Sequence, residues 1–146
     1  MDQTRPIRIL LVEDNRADAI LVEEALSESK LFNRLDIVSD GLEALDYLRN
    51  KGGYIENQKP DLILLDLNMP KLSGIEVLKE IKNDEELKII PVVIMTTSKS
   101  ESDVIQSYNL HANCYITKPV DLEKFIQIVK NIEQFWFSIV TLPLHN

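Results

Sequence analysis

The sequence predicts an α/β fold in which helices cover both faces of a five-stranded parallel sheet with the strand order 2-1-3-4-5. Five short apolar segments alternate with segments in which apolar residues recur at helical spacing. Four of these segments are continuously apolar, which is typical of strands covered on both faces. Since 146 residues, 45% of them hydrophobic, suit one compact core, we expect residues 1–146 to form a single domain.

The first unit combines the apolar run 7–13 with a helix that Asn15 can cap. After that cap, apolar residues recur at helical spacing, at Ala17, Ile20, Leu21 and Ala25. This pattern predicts an amphipathic helix with these four residues on its apolar face.

The second strand differs from the other four. In the segment 34–40, Leu35 and Ile37 alternate with charged residues, which is typical of a partly exposed edge strand. A linker rich in glycine and polar residues, 50–60, separates the helix that follows from the third strand.

The remaining strands are predicted at 62–66, 91–97 and 114–118. Three residue pairs have the N-cap and N3 spacing that begins a helix: Asp40 with Glu43, Ser73 with Glu76, and Ser98 with Glu101. Asp121 is a suitable cap for the last helix. The third helix is supported by apolar residues at helical spacing, at Ile75, Leu78 and Ile81.

The last helix carries two apolar stripes about 100° apart. One stripe can cover the sheet, and the other consists of Ile128, Ile132, Phe135 and Ile139. The second stripe needs another surface, since apolar patches of this kind mark protein contacts. We expect a homodimer through the last helix and the C-terminal extension 138–146; the alternative is that this extension folds back across its own domain.

Composition excludes several classes of partner. The formal charge of −8 repels nucleic-acid backbones and anionic lipid surfaces, so neither nucleic acid nor a membrane is an expected partner. The chain has no apolar window long enough to span a bilayer, and its first residues lack the pattern of a secretory signal. A single cysteine, Cys114, excludes an internal disulfide. We therefore expect a cytoplasmic protein.

Acidic residues stand at the ends of two predicted strands. Glu13 and Asp14 close the first strand, and Asp66 closes the third. In a flavodoxin-like sheet these strands are neighbours, and ligands bind beyond the carboxyl ends of the strands at this point. Three carboxylates that converge there would repel one another unless a cation lies among them. Their oxygen atoms suit Mg²⁺, and Lys118 at the end of the fifth strand adds a second positive charge.

Four motifs in order, "LLVEDN", "LLDLNMP", "TTS" and "TKP", resemble the receiver domain of two-component response regulators. The segments "NRADAILVEEAL", "YNLHANCYITKPVDLEKF" and "FWFSIVTLPL" are similar to single-domain response regulators that partner cyanobacterial phytochromes. The resemblance implies a phosphoacceptor module without enzymatic turnover of other substrates. Its partner would be a sensor histidine kinase, with a phytochrome expected, and its output would be altered protein contacts.

The resemblance also implies a role for each motif residue that faces the metal. Asp66 is the phosphoacceptor, and Asp14, Asp66 and the backbone carbonyl of Asn68 bind Mg²⁺. Glu13 acts mainly through a metal-bound water, and it stands where many receivers have aspartate.

Three further residues take roles from the same resemblance. Thr96 and Lys118 contact the phosphoryl oxygens, and Thr96 also takes part in the switch. Tyr115 is the switch aromatic. The bond between Lys118 and Pro119 is cis in such domains, and His111 replaces a glycine that many of them have.

Two other classes of protein share part of this pattern. One has an acid after an apolar strand, and the other has the same fold. A Mg²⁺-dependent aspartyl-phosphate phosphatase of the haloacid-dehalogenase type usually has a second acid two residues after the nucleophile, where this chain has Asn68. A flavodoxin-like electron carrier needs a phosphate-binding loop after the first strand, and the segment "EDNRADA" contains no glycine.

Overall fold

A computed structural model gives the architecture of the protein. It describes residues 6–29, 32–54, 59–69, 71–96, 114–118, 121, 123–128 and 130–131. None of the helices among these residues combines the length and the apolar character that a bilayer-spanning segment requires.

Five parallel strands form one sheet in the order β2-β1-β3-β4-β5. The strands are β1 (Ile7–Val12), β2 (Asn33–Val38), β3 (Leu62–Asp66), β4 (Val92–Thr96) and β5 (Cys114–Thr117). The predicted fold class and strand order are confirmed. The order places β1 beside β3 and leaves β2 at the edge, in agreement with its partly exposed pattern.

The described helices are α1 (Arg16–Glu28), α2 (Gly41–Leu48) and α3 (Gly74–Lys82), with a 3₁₀ turn at Gly52–Tyr54. Residues 123–128 and 130–131 are also helical and belong to the predicted last helix. The helix predicted from Ser98 and Glu101 lies outside the described residues.

Buried side chains form a core on each face of the sheet. The first core includes Leu10 and Leu65 and packs against α2 and α3. The second includes Leu11 and Leu64 and packs against α1 and the last helix, where Phe125 is fully buried. Successive residues of β1 and β3 thus point into opposite cores, which explains why these strands are continuously apolar.

Side-chain caps begin the helices where the sequence predicts them. Asn15 accepts a hydrogen bond from Asp18 N, Asp40 accepts one from Glu43 N, and Ser73 accepts one from Glu76 N. Asp121 accepts one from Lys124 N at the start of the last helix. Each cap satisfies a backbone donor that the helix itself cannot pair.

The predicted apolar face of α1 is partly wrong, since only Ala25 of its four residues is buried and Leu21 is half-buried. The buried residues of this helix are Ala19, Val22, Ala25 and Leu26, whereas Ile20 is 42% exposed and Ala17 is exposed. Apolar residues occupy more than half of the helix circumference, so two sets satisfy helical spacing and periodicity cannot choose between them. The direction in which α1 leaves β1 selects the set that meets the sheet.

The second strand is two residues shorter than predicted at its C-terminal end. It ends at Val38 because Asp40 caps α2 and the backbone N–H of Ser39 donates to the Glu43 carboxylate. These hydrogen bonds take residues 39–40 out of the sheet. β1 likewise ends at Val12, and Glu13 follows it directly.

Most of the predicted dimer interface, Ile132, Phe135, Ile139 and the extension 138–146, lies outside the described residues. Its one described member, Ile128, is partly buried against the core on the α1 face. This side chain therefore has a contact within its own domain.

Candidate functional site

Three carboxylates from two adjacent strands meet at one end of the sheet. Glu13 and Asp14 follow β1 and Asp66 ends β3, and one oxygen of each lies within 4.8 Å of the other two. The register pairs Val12 with Leu65, which brings the two strand ends side by side. Glu13 is 2% exposed and Asp66 1%, whereas Asp14 is open to solvent.

A lysine that directly follows the fifth strand neutralises part of this charge. Lys118 Nζ lies 2.8 Å from Glu13 Oε1, 3.1 Å from Asp18 Oδ2 and 3.3 Å from Asp66 Oδ2. The backbone N–H of Lys118 donates to Thr96 O at 2.8 Å, which fixes the residue beside the end of β4. One ammonium thus forms ion pairs with three carboxylates.

The site has more negative charge than Lys118 compensates. Burial raises the pKa of Glu13 to about 7, against the opposing effect of its hydrogen bond to Lys118. Burial alone would lower the pKa of Lys118, but its contacts with Glu13, Asp18 and Asp66 outweigh burial and raise it above the usual range. Lys118 therefore stays charged, and Glu13 is a buried acid that lacks a full counter-charge.

Backbone donors hold two of the carboxylates in place. Asn15 N donates to Glu13 Oε2 at 3.1 Å, and Asn68 N donates to Asp66 Oδ1 at 3.2 Å. Both contacts span two residues, so each carboxylate closes a tight turn at the end of its own strand. The turns fix the direction in which the remaining carboxylate oxygens point.

A glycine permits the close packing behind Asp66. A Cβ atom on Gly74 would overlap the backbone carbonyl oxygen of Asp66 and lie 2.6 Å from Leu67 Cα. Gly74 N donates to Leu67 O at 3.1 Å. The start of α3 is thus packed directly on the strand end that carries Asp66.

An open polar cleft of about 670 Å³ lies above these groups. Its lining residues are Asp14, Asn15, Arg16, Ala17, Asp18, Asp66, Asn68 and Lys118. Asp66, almost fully buried, therefore forms part of the floor of a solvent-accessible cleft. A small charged group can reach it from the side of α1.

The other predicted site residues take different positions. Thr96 is 1% exposed at the end of β4, and Asn68 is exposed beside the cleft. Tyr115 is paired in register with Ile94 and packs, half-buried, against the core on the α2 and α3 face. Burial raises the pKa of Tyr115, so its hydroxyl stays protonated at neutral pH. His111 and Pro119 lie outside the described residues.

Sequence reasoning missed Asp18. This residue lies in the first turn of α1 and brings a fourth carboxylate to the site through Lys118. The sequence feature that could have indicated a role for Asp18 is its position. It lies three residues after the cap Asn15, at the start of the helix that follows the acidic end of β1. Acids are common there because they also favour the helix dipole, so the spacing alone does not indicate a role.

The donor set suits a hard divalent cation. All three clustered ligand groups are carboxylates, and the two buried ones share the Lys118 ammonium. Oxygen ligands in a site that keeps access to water are those that Mg²⁺ and Mn²⁺ prefer. Glu13, Asp14 and Asp66 are therefore the described residues best placed to hold such an ion.

Comparisons with known proteins agree with this geometry. The family model of the response regulator receiver domain matches residues 9–130. The chain is 51% identical over 143 residues to the response regulator Rcp1 of Synechocystis, with 97% of each protein covered.

Two solved structures are similar over most of their length. The phosphorylated cyanobacterial phytochrome response regulator RcpA is 53% identical, with a TM-score of 0.78 and coverage of 92% of this chain and 96% of that one. The Mn²⁺-bound form of Rcp1 is 52% identical, with a TM-score of 0.76 and coverage of 90% and 94%.

Proposed function

The chain belongs to the response regulator receiver domain family, and from that membership we propose that it is a single-domain response regulator phosphorylated on Asp66 by a sensor histidine kinase. The observation that carries the proposal is the position of Asp66. It ends a buried strand at the floor of an open cleft, 3.3 Å from an ammonium and beside two further carboxylates. We propose that residues 1–146 act as one module, with 138–146 as a C-terminal extension.

The kinase is proposed to be a phytochrome. Support comes from the similar protein RcpA, which is described as a phytochrome response regulator. Such a kinase draws its phosphoryl group from ATP, so we also propose that the protein works in the cytoplasm.

Receiver domains bind a divalent metal, and the proposed ion here is Mg²⁺. Asp14 and Asp66 would hold it together with the backbone carbonyl of Asn68, and Glu13 would act through a water molecule. When bound, the ion supplies positive charge that neutralises the oxygens of the transferring phosphoryl group. The support is the set of clustered carboxylates, and the Mn²⁺-bound form of a protein 52% identical to this one.

The proposed chemistry is an in-line transfer to the Asp66 carboxylate. One carboxylate oxygen forms a bond to phosphorus while the bond from phosphorus to the kinase histidine nitrogen breaks. The electron pair of that bond stays on the histidine nitrogen, and Asp66 becomes an aspartyl phosphate. Hydrolysis by water returns the carboxylate and releases inorganic phosphate. The chain thereby catalyses only its own phosphorylation and dephosphorylation.

Lys118 and Thr96 are proposed to contact the phosphoryl oxygens. The Lys118 ammonium already lies 3.3 Å from Asp66 Oδ2, so it can stabilise negative charge that develops beside that atom. Thr96 is buried at the end of the neighbouring strand β4. Asp66 pairs in register with Met95, the residue directly before Thr96.

Thr96 and Tyr115 are also the proposed switch. Tyr115 pairs with Ile94, two residues before Thr96, so both side chains belong to the same face of the sheet. Movement of Thr96 toward the phosphoryl group would leave space for Tyr115 and change the surface near β5. The expected effect of Thr96→Ala is loss of the phosphorylation-dependent change in assembly or kinase binding.

The proposed output is altered protein contact, including a homodimer through the last helix and the extension 138–146. Support comes from the second apolar stripe of the sequence, although its member Ile128 packs partly against its own core. Sedimentation of a chain truncated after Gln134 tests this step. A dimer that persists after truncation would exclude the extension from the interface.

Intact-mass measurement tests the central proposal. The protein is mixed with Mg²⁺ and acetyl phosphate, and we expect one added phosphoryl group that base removes. Asp66→Asn should add none, whereas the exposed Asp46→Asn, which removes the same charge from α2, should react like the wild type. Phosphoryl addition to Asp66→Asn, or none to the wild type, would contradict the proposal.

A further inference from the structure

We propose that Asp18 is a positioning residue that holds the Lys118 ammonium over Asp66 and thereby speeds phosphoryl transfer. The inference rests on the proposed function, because it assigns a role within the same reaction. Among the described residues, the Asp18 carboxylate forms an ion pair with Lys118 and has no contact with the phosphoacceptor or the proposed metal ligands. Its proposed role is therefore exerted through Lys118.

A closed ring of contacts fixes Asp18 relative to the site. Glu13 accepts from Asn15 N, Asn15 accepts from Asp18 N, and the Asp18 carboxylate reaches Lys118 Nζ. Lys118 Nζ in turn contacts Glu13, which closes the ring. The ring joins the end of β1, the first turn of α1 and the end of β5. A displacement of any one of these elements would therefore disturb the ammonium.

The three acids around Lys118 differ in their surroundings. The side chains of Glu13 and Asp66 are 0% and 1% exposed, whereas that of Asp18 is 22% exposed and that of Lys118 is 11%. Glu13 and Asp66 hold the ammonium from the buried floor, and Asp18 holds it from the open side. Without Asp18, one N–H donor would turn to water, and the flexible lysine side chain would gain conformations in which it no longer faces Asp66.

The alternative is that Asp18 serves only the helix. It occupies the first turn of α1, where a carboxylate stabilises the helix dipole whether or not it contacts a lysine. Both roles predict some loss of stability on substitution. Only the positioning role predicts a slower phosphorylation that depends on the presence of Lys118.

Rates of phosphorylation by acetyl phosphate at saturating Mg²⁺ test the inference. Asp18→Asn keeps the shape of the residue, and we expect its rate to fall on the order of tenfold, the size of one lost charge-assisted hydrogen bond. Glu24→Gln is the matched control, because it removes an exposed charge from the same helix and should keep the wild-type rate. Equal rates for Asp18→Asn and Glu24→Gln would overturn the inference.

A Lys118→Met background shows whether Asp18 acts through the lysine. There, adding Asp18→Asn should change the rate by less than about twofold, since interacting residues are not additive. The same tenfold loss in both backgrounds would overturn the inference.

If Lys118→Met reacts too slowly to compare, the amine ¹H–¹⁵N signal of Lys118 decides instead. We expect that signal to be protected from solvent exchange in the wild type and in Glu24→Gln, and exchange-broadened in Asp18→Asn; unchanged exchange would overturn the inference.

Failure of this inference and failure of the proposed function give different results. If the wild type takes no phosphoryl group, the proposed function fails. If the wild type reacts and Asp18→Asn reacts equally fast, only the role of Asp18 fails.

Discussion

Two acidic clusters with one lysine each lie at the same end of the sheet, and the pKa of Glu13 in one shifts in the opposite direction to the pKa values of both acids in the other. In the site, burial raises the pKa of Glu13 to about 7. In the second cluster, formed by Asp40, Glu43 and Lys71 and here called the cap cluster, both acids have a lowered pKa. The residue types are similar, so the environment must account for the difference.

Backbone donors explain the cap cluster. Glu43 accepts from Ser39 N at 3.0 Å and from the Tyr54 hydroxyl at 2.6 Å, and the Ser39 N–H is the main cause of its lowered pKa. Asp40 accepts from Glu43 N at 2.8 Å, and this N–H is the main cause of the lowered pKa of Asp40. These carboxylates are satisfied by the chain itself.

Among the described residues, the site has fewer such donors. Glu13 and Asp66 each accept one backbone N–H and share the Lys118 ammonium, so few groups offset the cost of burying a charged carboxylate there. A carboxylate satisfied by backbone N–H groups therefore supports the fold, whereas a buried carboxylate with fewer donors is available to bind a cation or a phosphoryl group.

Glycine substitutions next to the two clusters have the largest expected effect. A Cβ on Gly41, at the start of α2, would overlap Leu72 O and lie 2.8 Å from Val77 Cγ2, and a Cβ on Gly74 would overlap Asp66 O. We expect Gly41→Ala and Gly74→Ala each to lower the free energy of unfolding by about 3 kcal/mol, because backbone must move. Urea denaturation measures this.

The Mg²⁺ affinity of the same two variants separates the site from the cap cluster. Gly74→Ala should weaken Mg²⁺ binding more than Gly41→Ala, because only Gly74 packs on Asp66. Equal effects on metal affinity would show that the site is not defined locally by this packing.

Metal binding at the site should stabilise the folded protein, and this gain should not depend on the cap cluster. At a Mg²⁺ concentration 100 times the Kd, we expect the free energy of unfolding to rise by about 2.7 kcal/mol. Asp14→Asn should remove most of this gain, and Glu43→Gln should retain it. Urea denaturation with and without Mg²⁺ checks both variants, and a gain that survives Asp14→Asn would contradict the proposed ligand set.

Two substitutions of Asp40 separate its role as the cap of α2 from its ion pair with Lys71. Asp40→Ala removes the cap of α2 and should cost about 1 kcal/mol. Asp40→Asn keeps a capping oxygen and removes only the ion pair with Lys71, whose side chain is 62% exposed, so we expect a loss of about 0.5 kcal/mol or less. Similar losses for both variants would show that the ion pair stabilises the cluster.

The smallest expected effect is the contribution of Glu43 to the pH dependence of the free energy of unfolding. Because its pKa is lower in the folded than in the unfolded protein, its stabilisation is present above the unfolded pKa of about 4.3 and is lost as the pH falls through the folded pKa. Glu43→Gln should therefore lose less stability than the wild type between about pH 5 and pH 3. Urea midpoints across this range measure the difference, and parallel curves would contradict the assignment.

Local patterns in the sequence were sufficient for the positions of the five strands, the four described caps and the convergence of Glu13, Asp14 and Asp66. Continuous apolar runs predict strands buried on both faces, and the carboxyl ends of adjacent parallel strands lie together whatever the side chains are. The contact of Asp18 with Lys118 could not be predicted in the same way, because it joins residues 100 positions apart through the orientation of a helix.

The elements, their order and the acidic ends of β1 and β3 could be predicted from the amino-acid sequence, because they depend on short-range periodicity and on capping side chains. The folded arrangement was needed to show which face of α1 is buried, which acids share Lys118 and why the pKa values of Glu13 and Glu43 shift in opposite directions. Those properties depend on burial and on donors from distant parts of the chain, which no local pattern contains.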